Sequence, residues 1–342
     1  MSKTYSEIAQ HQLNALAKPP GALGQLEAIA LRLSEAQQKF PPTAHSPHVL
    51  IFAGDHGVTE ENISAYPSEV TLAMIATISS GKSAVGVLAQ QSAAQLRVVN
   101  VGAKNAPPSL HTPDWIKYIN ASVGQGTQNI CIRDAMTIEE TQRAIEVGRQ
   151  MVRDSMNEGA DVVVIGEMGI GNTTPAAAIT SKILGIDPSK SVGPGTGLNP
   201  EGVNRKIKAV QTAIERSNAT GALKILAALG GFEIAAMTGA MQESAKWNIP
   251  VILDGYIASA AALIAFHQNE AVSRVLIPAT CSAEPGHIEI LKHLKLNDKP
   301  LLNWGLRLGE GSAATLFLPI VKSACAICSE MATLESVLTG AP

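Results

Sequence analysis

The stretch ADVVVIGEMGIGNTT, residues 160–174, decides how this chain folds. After Asp161 come Val162, Val163, Val164 and Ile165 without a polar residue between them. β-Branched side chains favour extended backbone, and a strand that is apolar on both faces belongs in a parallel sheet covered by helices on each side. Gly166, Gly169 and Gly171 then interrupt the run, and Asn172, Thr173 and Thr174 lead into PAAAI, which reads as a helix. A tight strand-to-helix turn explains the glycines. It leaves open whether the one acid among them, Glu167, is solvated or faces a ligand.

Working outward, short apolar runs ending in glycine or acid recur at 48–57, 96–103, 249–255 and 273–286, with longer Ala-rich helical stretches between them. The pattern predicts a Rossmann-like α/β fold, a parallel sheet flanked by helices with right-handed crossovers. In such a sheet ligands bind beyond the carboxyl ends of the strands, where the strand order reverses. The ends GDHG, GEMGIGN, LDG and CSAEPG would place Asp55, Glu167, Asp254 and Glu284 around one crevice. Residues 4–38 read as two helices broken at KPPGALG, and 312–336 as one long helix, so the chain ends are expected to pack as a smaller helical unit.

Composition narrows the function. With 342 residues, 46% hydrophobic and only 4% aromatic, the core must be packed from Ala, Val, Ile and Leu. The 26 basic and 29 acidic residues are mixed along the chain, with no basic stripe for a phosphate backbone, so a nucleic-acid partner is not expected. The N-terminal segment has no apolar signal core and no apolar run is read as approaching a membrane span; a cytoplasmic protein without a membrane partner is expected. Of the four cysteines, Cys325 and Cys328 form a CxxC, but within an apolar helical run and with no second pair, so a buried structural role is favoured over metal or redox chemistry. GDHG reads as a structural turn, since Asp55 and His56 are adjacent and rarely reach one ion together. His287 reads as lining a helix and His293 as solvated. No GxSxG elbow is present, and no HExxH or chelating acid pair, so neither a metal nor a cofactor is expected.

Two glycine loops carry the ligand signal. In GEMGIGNTT, Gly169 and Gly171 permit close backbone approach at a helix N-terminus, where free N–H groups favour an anion. In SVGPGTGLNPEG, residues 191–202, Gly195 lies shortly before Lys206. Two such loops with a lysine point to a phosphate-bearing ligand. A third segment, LRLGEGSAATLFLPI, places Glu310 after Leu308 and before an apolar helix. Apolar surroundings would raise its pKa and make it a proton acceptor, although an acid is also what a helix start favours.

The motifs KPPGALGQLE, AGDHGV with SAYPSEVT, GEMGIGNTT, GPGTGL, GGFEIAAMTGAM, PVILDG, SAEPGH and RLGEGS occur in this order between Lys18 and Lys322. Together they resemble the nicotinate-nucleotide dimethylbenzimidazole phosphoribosyltransferase family. The resemblance implies transfer of the phosphoribosyl group of nicotinate mononucleotide to 5,6-dimethylbenzimidazole in cobalamin nucleotide-loop assembly. It also implies a homodimer, with a large Rossmann-like domain over 39–311 and a small helical domain from 1–38 with 312–342. Carried over by motif, the catalytic base falls on Glu310 and a second acid on Glu167. The nucleotide site falls on Gly169, Gly195, Lys206 and Ser282, and the base pocket on Leu308 and Met74. Two positions depart from the pattern: Pro194, where many relatives carry arginine, and Asn100, where an acid is expected. On the residues alone, a nucleoside phosphorylase, a nucleotide-dependent oxidoreductase or a non-catalytic nucleotide sensor would use the same glycine turns.

Overall fold

A computed structural model of the chain describes residues 5–195, 197–296 and 305–340. Residues 1–4 and 341–342 of the expected helical unit, Thr196 of GPGTGL, and 297–304 lie outside the described residues. Six strands are present: β1 (Pro47–Gly54), β2 (Gln95–Gly102), β3 (Ile116–Asn120), β4 (Val162–Met168), β5 (Val251–Leu253) and β6 (Leu276–Pro278). They form one all-parallel sheet in the order β3-β2-β1-β4-β5-β6. The order reverses between β1 and β4, whose register runs from Pro47 opposite Val162 to Ala53 opposite Met168. The crevice expected of such a sheet therefore opens beside Glu167.

Helices α1 (Tyr5–Ala15) and α2 (Gln25–Gln37) precede the sheet, and α3 (Val70–Ser79) and α4 (Ala84–Gln91) join β1 to β2. Helix α5 (Ile138–Asn157) leads to β4. Helices α6 (Thr173–Leu184), α7 (Pro200–Arg216), α8 (Ala222–Leu229) and α9 (Phe232–Trp247) lead to β5, and α10 (Tyr256–Gln268) leads to β6. Helices α11 (Gly286–His293), α12 (Ser312–Glu330) and α13 (Leu334–Thr339) follow.

Alternation along the strands divides the core in two. Val163 and Ile165 of β4, with Leu50 and Phe52 of β1, pack against α5, α6 and α8–α10. Val162 and Val164, with Val49 and Ile51, pack against α2, α3, α4 and α12. Every β4 residue is buried, as the unbroken valine run requires.

Three sequence expectations need correction. β3 is an additional strand: IKYIN lies at the sheet edge, where only Ile116 is fully buried. The terminal helix does not run from 312 to 336. It stops at Glu330, Leu16 and Thr333 form an antiparallel bridge, and Thr333 caps α13 through its hydroxyl. Segments of membrane-span length and composition do exist. Val70–Gln91 and Ser312–Glu330 each have mean hydropathy 1.5. The first is broken at Gly81 into α3 and α4, and the second packs on α2, α4 and β4.

Candidate active site

Beyond the carboxyl ends of β4, β5 and β6 lies a cleft of about 400 Å³, large enough for a small-molecule ligand. The sheet delivers Glu167 from β4, Asp254 from the end of β5, and Ser282 and Glu284 from the turn after β6. A loop before α12 delivers Leu308 and Glu310, α3 delivers Met74, and the loops around α6 and α7 deliver Gly169, Gly195 and Lys206. The site residues read from the sequence thus line one cavity.

The two glutamates meet because backbone packs on backbone. Gly309, Glu310 and Gly311 have φ of 79°, 62° and 77°, three successive left-handed residues. For Glu310 that conformation costs on the order of 1 kcal/mol, the kind of strain that persists where the surroundings over-determine it. Here Gly166 of β4 supplies the constraint: a Cβ at this position would fall inside the Gly311 backbone. A Cβ at Gly309 would lie 2.7 Å from Glu167 Oε1, so the turn presses directly on that carboxylate. Gly166→Ala is therefore expected to displace the turn. A shift near 1 Å should cost about 10²-fold in kcat, with a loss of about 1–3 kcal/mol from overpacking. Turnover and thermal unfolding of this variant check the point, and wild-type kcat would show that the close approach does not seat Glu310.

Asp254 completes the turn. Its carboxylate accepts N–H bonds from Gly311 (3.2 Å), Ala313 (2.8 Å) and Ala314 (3.1 Å), so it satisfies the start of α12. Glu310 is thereby released from the capping role that its sequence position allowed. Glu310 is buried and its Oε2 has no hydrogen-bond partner among the described residues. Burial, with the Asp254 charge nearby, pushes its pKa up to about 7. Glu167 accepts a short hydrogen bond from Asn172 Nδ2. Burial, then the charges of Asp254 and Glu233, raise its pKa to about 8 against the Asn172 bond.

The opposite end of the cleft is cationic. Lys206 is wholly buried, and its ammonium donates to Thr173 Oγ1 at 2.7 Å and to the Gly193 carbonyl at 3.2 Å. Burial lowers its pKa to about 8, partly offset by Glu284. Thr173, which takes one of the Lys206 bonds, opens α6, so the helix dipole favours an anion at this end as well. Between the two ends runs an apolar wall containing Met74 and Leu308, the latter 56% exposed although large and apolar. An exposed leucine in a cleft wall is suited to a flat apolar ring.

Asp55 does not join this crevice. Past a register shift at Ala53–Gly54 the chain turns toward β2, and Asp55 Oδ2 accepts the Lys104 N–H at 2.8 Å. His56 points the other way, its Nε2 2.9 Å from Glu233 Oε1 in a fully buried pair. Burial alone would lower the His56 pKa; the Glu233 and Asp55 carboxylates outweigh it and raise it. The pair lies directly behind Gly169, where an added Cβ would be 3.3 Å from His56 Nε2. Sequence reasoning misses this pair; its one trace is Glu233, a lone acid in the apolar stretch GGFEIAAMTGAM. Asn100 serves its own strand end, bonding Asn120 and the Ala103 N–H, and Pro194 lines the cleft. His287 is buried and neutral, its pKa lowered by burial to about 4; His293 is exposed and stacks on His267. Cys325 and Cys328 are buried free thiols.

The doubly wound sheet brings paired acids and a buried lysine to one cleft, and the class is given by a family model described as phosphoribosyltransferase, which matches residues 1–337. More narrowly, the chain belongs to the nicotinate-nucleotide dimethylbenzimidazole phosphoribosyltransferase family. It is 44% identical over 329 residues to that enzyme from Pseudomonas fluorescens, covering 96% of this chain and 92% of the relative. The Photobacterium profundum enzyme is 39% identical, with 96% and 95% covered. The crystal structure of CobT from Thermus thermophilus superposes with a TM-score of 0.91 at 37% identity, covering 98% of both chains.

Proposed function

We propose that this chain transfers the 5-phosphoribosyl group of nicotinate mononucleotide to 5,6-dimethylbenzimidazole. The products are α-ribazole 5'-phosphate and nicotinate, in cobalamin nucleotide-loop assembly, and the enzyme works as a cytoplasmic homodimer. The observation that carries the reading is the polarity of the cleft, with two buried glutamates at one end, Lys206 and the start of α6 at the other, and an apolar wall between them.

The phosphate takes the Lys206 end, with the backbone of Gly169 and Gly195 and the Ser282 hydroxyl. C1' of the ribose then lies at the glutamates. The bond from C1' to the pyridinium nitrogen breaks with its electron pair going to the ring, which leaves as neutral nicotinate. The ribose develops oxocarbenium character that ionised Glu167 stabilises electrostatically. A benzimidazole nitrogen, its ring held against Leu308 and Met74, attacks C1' from the opposite face, so the β linkage becomes α. The other ring nitrogen loses its proton to Glu310.

Chromatography of the purified protein with both substrates tests this. Nicotinate and α-ribazole 5'-phosphate are expected in equal amounts. Failure to form any ribosyl product with dimethylbenzimidazole would overturn the reading.

A further inference from the structure

The amide expected to hold phosphate is already taken. The Gly195 N–H donates at 2.8 Å to Oε1 of Glu284. The carboxylate nests so closely against this loop that a Cβ at Gly193 would lie 2.6 Å from Oε2. Glu284 is more than nine-tenths buried, yet Oε2 has no hydrogen-bond donor among the described residues. A buried carboxylate oxygen without a donor is destabilising, so this arrangement suits a temporary occupant better than a structural tie. Lys206, the cation beside it, directs its hydrogen bonds to Thr173 and Gly193 instead.

We propose that Glu284 is a resident competitor for the phosphate seat, a carboxylate that holds the Gly195 amide in the empty enzyme and is displaced by the nucleotide's 5'-phosphate. The proposal rests on the phosphate placement given above. A phosphate dianion and a carboxylate cannot share one N–H donor beside one ammonium without strong repulsion. Ser282 Oγ accepts the Glu284 N–H at 3.3 Å, a bond that leaves its O–H to donate to a phosphate oxygen in the same seat.

The turn is built to move between fixed ends. The Ser282 N–H is anchored at 2.8 Å on His287 Nδ1, whose Nε2 is 2.9 Å from Ser259 Oγ. At the other end Gly286 packs on Tyr256, where an added Cβ would lie 2.6 Å from the phenol oxygen. Ala283 and Pro285, on either side of Glu284, are exposed. Glu284 thus sets the nucleotide affinity by the free energy needed to expel it.

Calorimetric titration with inorganic phosphate, on wild type, Glu284→Ala and Glu284→Gln, tests the proposal. Loss of one hydrogen bond to a charged group should appear as about 10- to 100-fold tighter binding by Glu284→Ala. Glu284→Gln, which keeps the shape but not the charge, should fall between the two. Weaker or unchanged binding in both variants would make Glu284 a structural support of the loop and overturn the idea, as would no binding by any of the three proteins. A crystal of wild type soaked in phosphate should show a phosphate oxygen on the Gly195 amide with Glu284 withdrawn. Phosphate bound while that Glu284 bond stays intact would also overturn it. The result is separable from the transfer reaction: product formation by wild type without tightening in the variants sinks only the competitor, and tightening without product formation sinks only the reaction.

Discussion

Replacing Glu310 with glutamine is expected to lower kcat for α-ribazole 5'-phosphate formation by about 10²- to 10⁴-fold, the usual contribution of a positioned general base. The amide keeps the volume of the side chain, and the left-handed turn at 309–311 is fixed by Gly166 and Asp254 rather than by the carboxylate, so the cleft retains its shape. Nicotinate mononucleotide should bind within a few-fold of wild type, because its phosphate lies at the far end. A pH profile separates lost chemistry from lost structure. Only the ionised carboxylate accepts a proton, so wild-type kcat should climb about tenfold per pH unit in acid and level off no higher than about 7, the value that burial and Asp254 give this group before the pyridinium of the nucleotide binds beside it. The variant should lose that rise. A variant that retained it would assign the limb to another group, and one with full activity would remove Glu310 from the mechanism.

The fold was legible where one strand carried its whole environment within itself. Val162–Ile165 is apolar at every position because the sheet is covered twice, and that pattern requires helices on both faces. β3 was not legible, because an edge strand with one open side reads as polar loop. The site divides in the same way. Glycine turns at strand ends pointed to the cleft, but what keeps Glu310 available is Asp254, which lies 56 residues earlier and takes the N–H groups of α12. No local pattern distinguishes a helix-capping acid from one whose cap is supplied elsewhere. His56 and Glu233 are 177 residues apart, and their pairing exists only once β1 and α9 are in place. Asp55 shows the converse error, a polar strand end assigned to the crevice although one register shift turns it aside.

Glu167→Gln is expected to make the protein more stable in alkali while disabling it. In the fold the Glu167 pKa is raised by burial and neighbouring acids to about 8, against an ordinary glutamate value in the unfolded chain. The folded state therefore binds more protons than the unfolded state between pH 4.5 and 8, and wild-type stability falls as pH rises through that window. Above it the penalty is complete, about 5 kcal/mol as an order of magnitude. Glutamine carries no such term. The advantage of the variant over wild type should grow by about 3 kcal/mol from pH 5.5 to pH 8.5, seen as a melting-temperature difference widening by about 5 °C. Equal differences at the two pH values would mean that Glu167 does not hold its proton in the fold. The same burial that destabilises the ionised carboxylate strengthens its field at C1', where the pyridinium ring of the bound nucleotide would favour loss of the proton and restore the charge. Activity of the variant should fall by about 10²- to 10³-fold, the scale of losing one preorganised electrostatic partner. An enzyme that gains stability in alkali and loses turnover through a single oxygen-to-nitrogen change would show that the cleft holds Glu167 for its charge and at the expense of its fold.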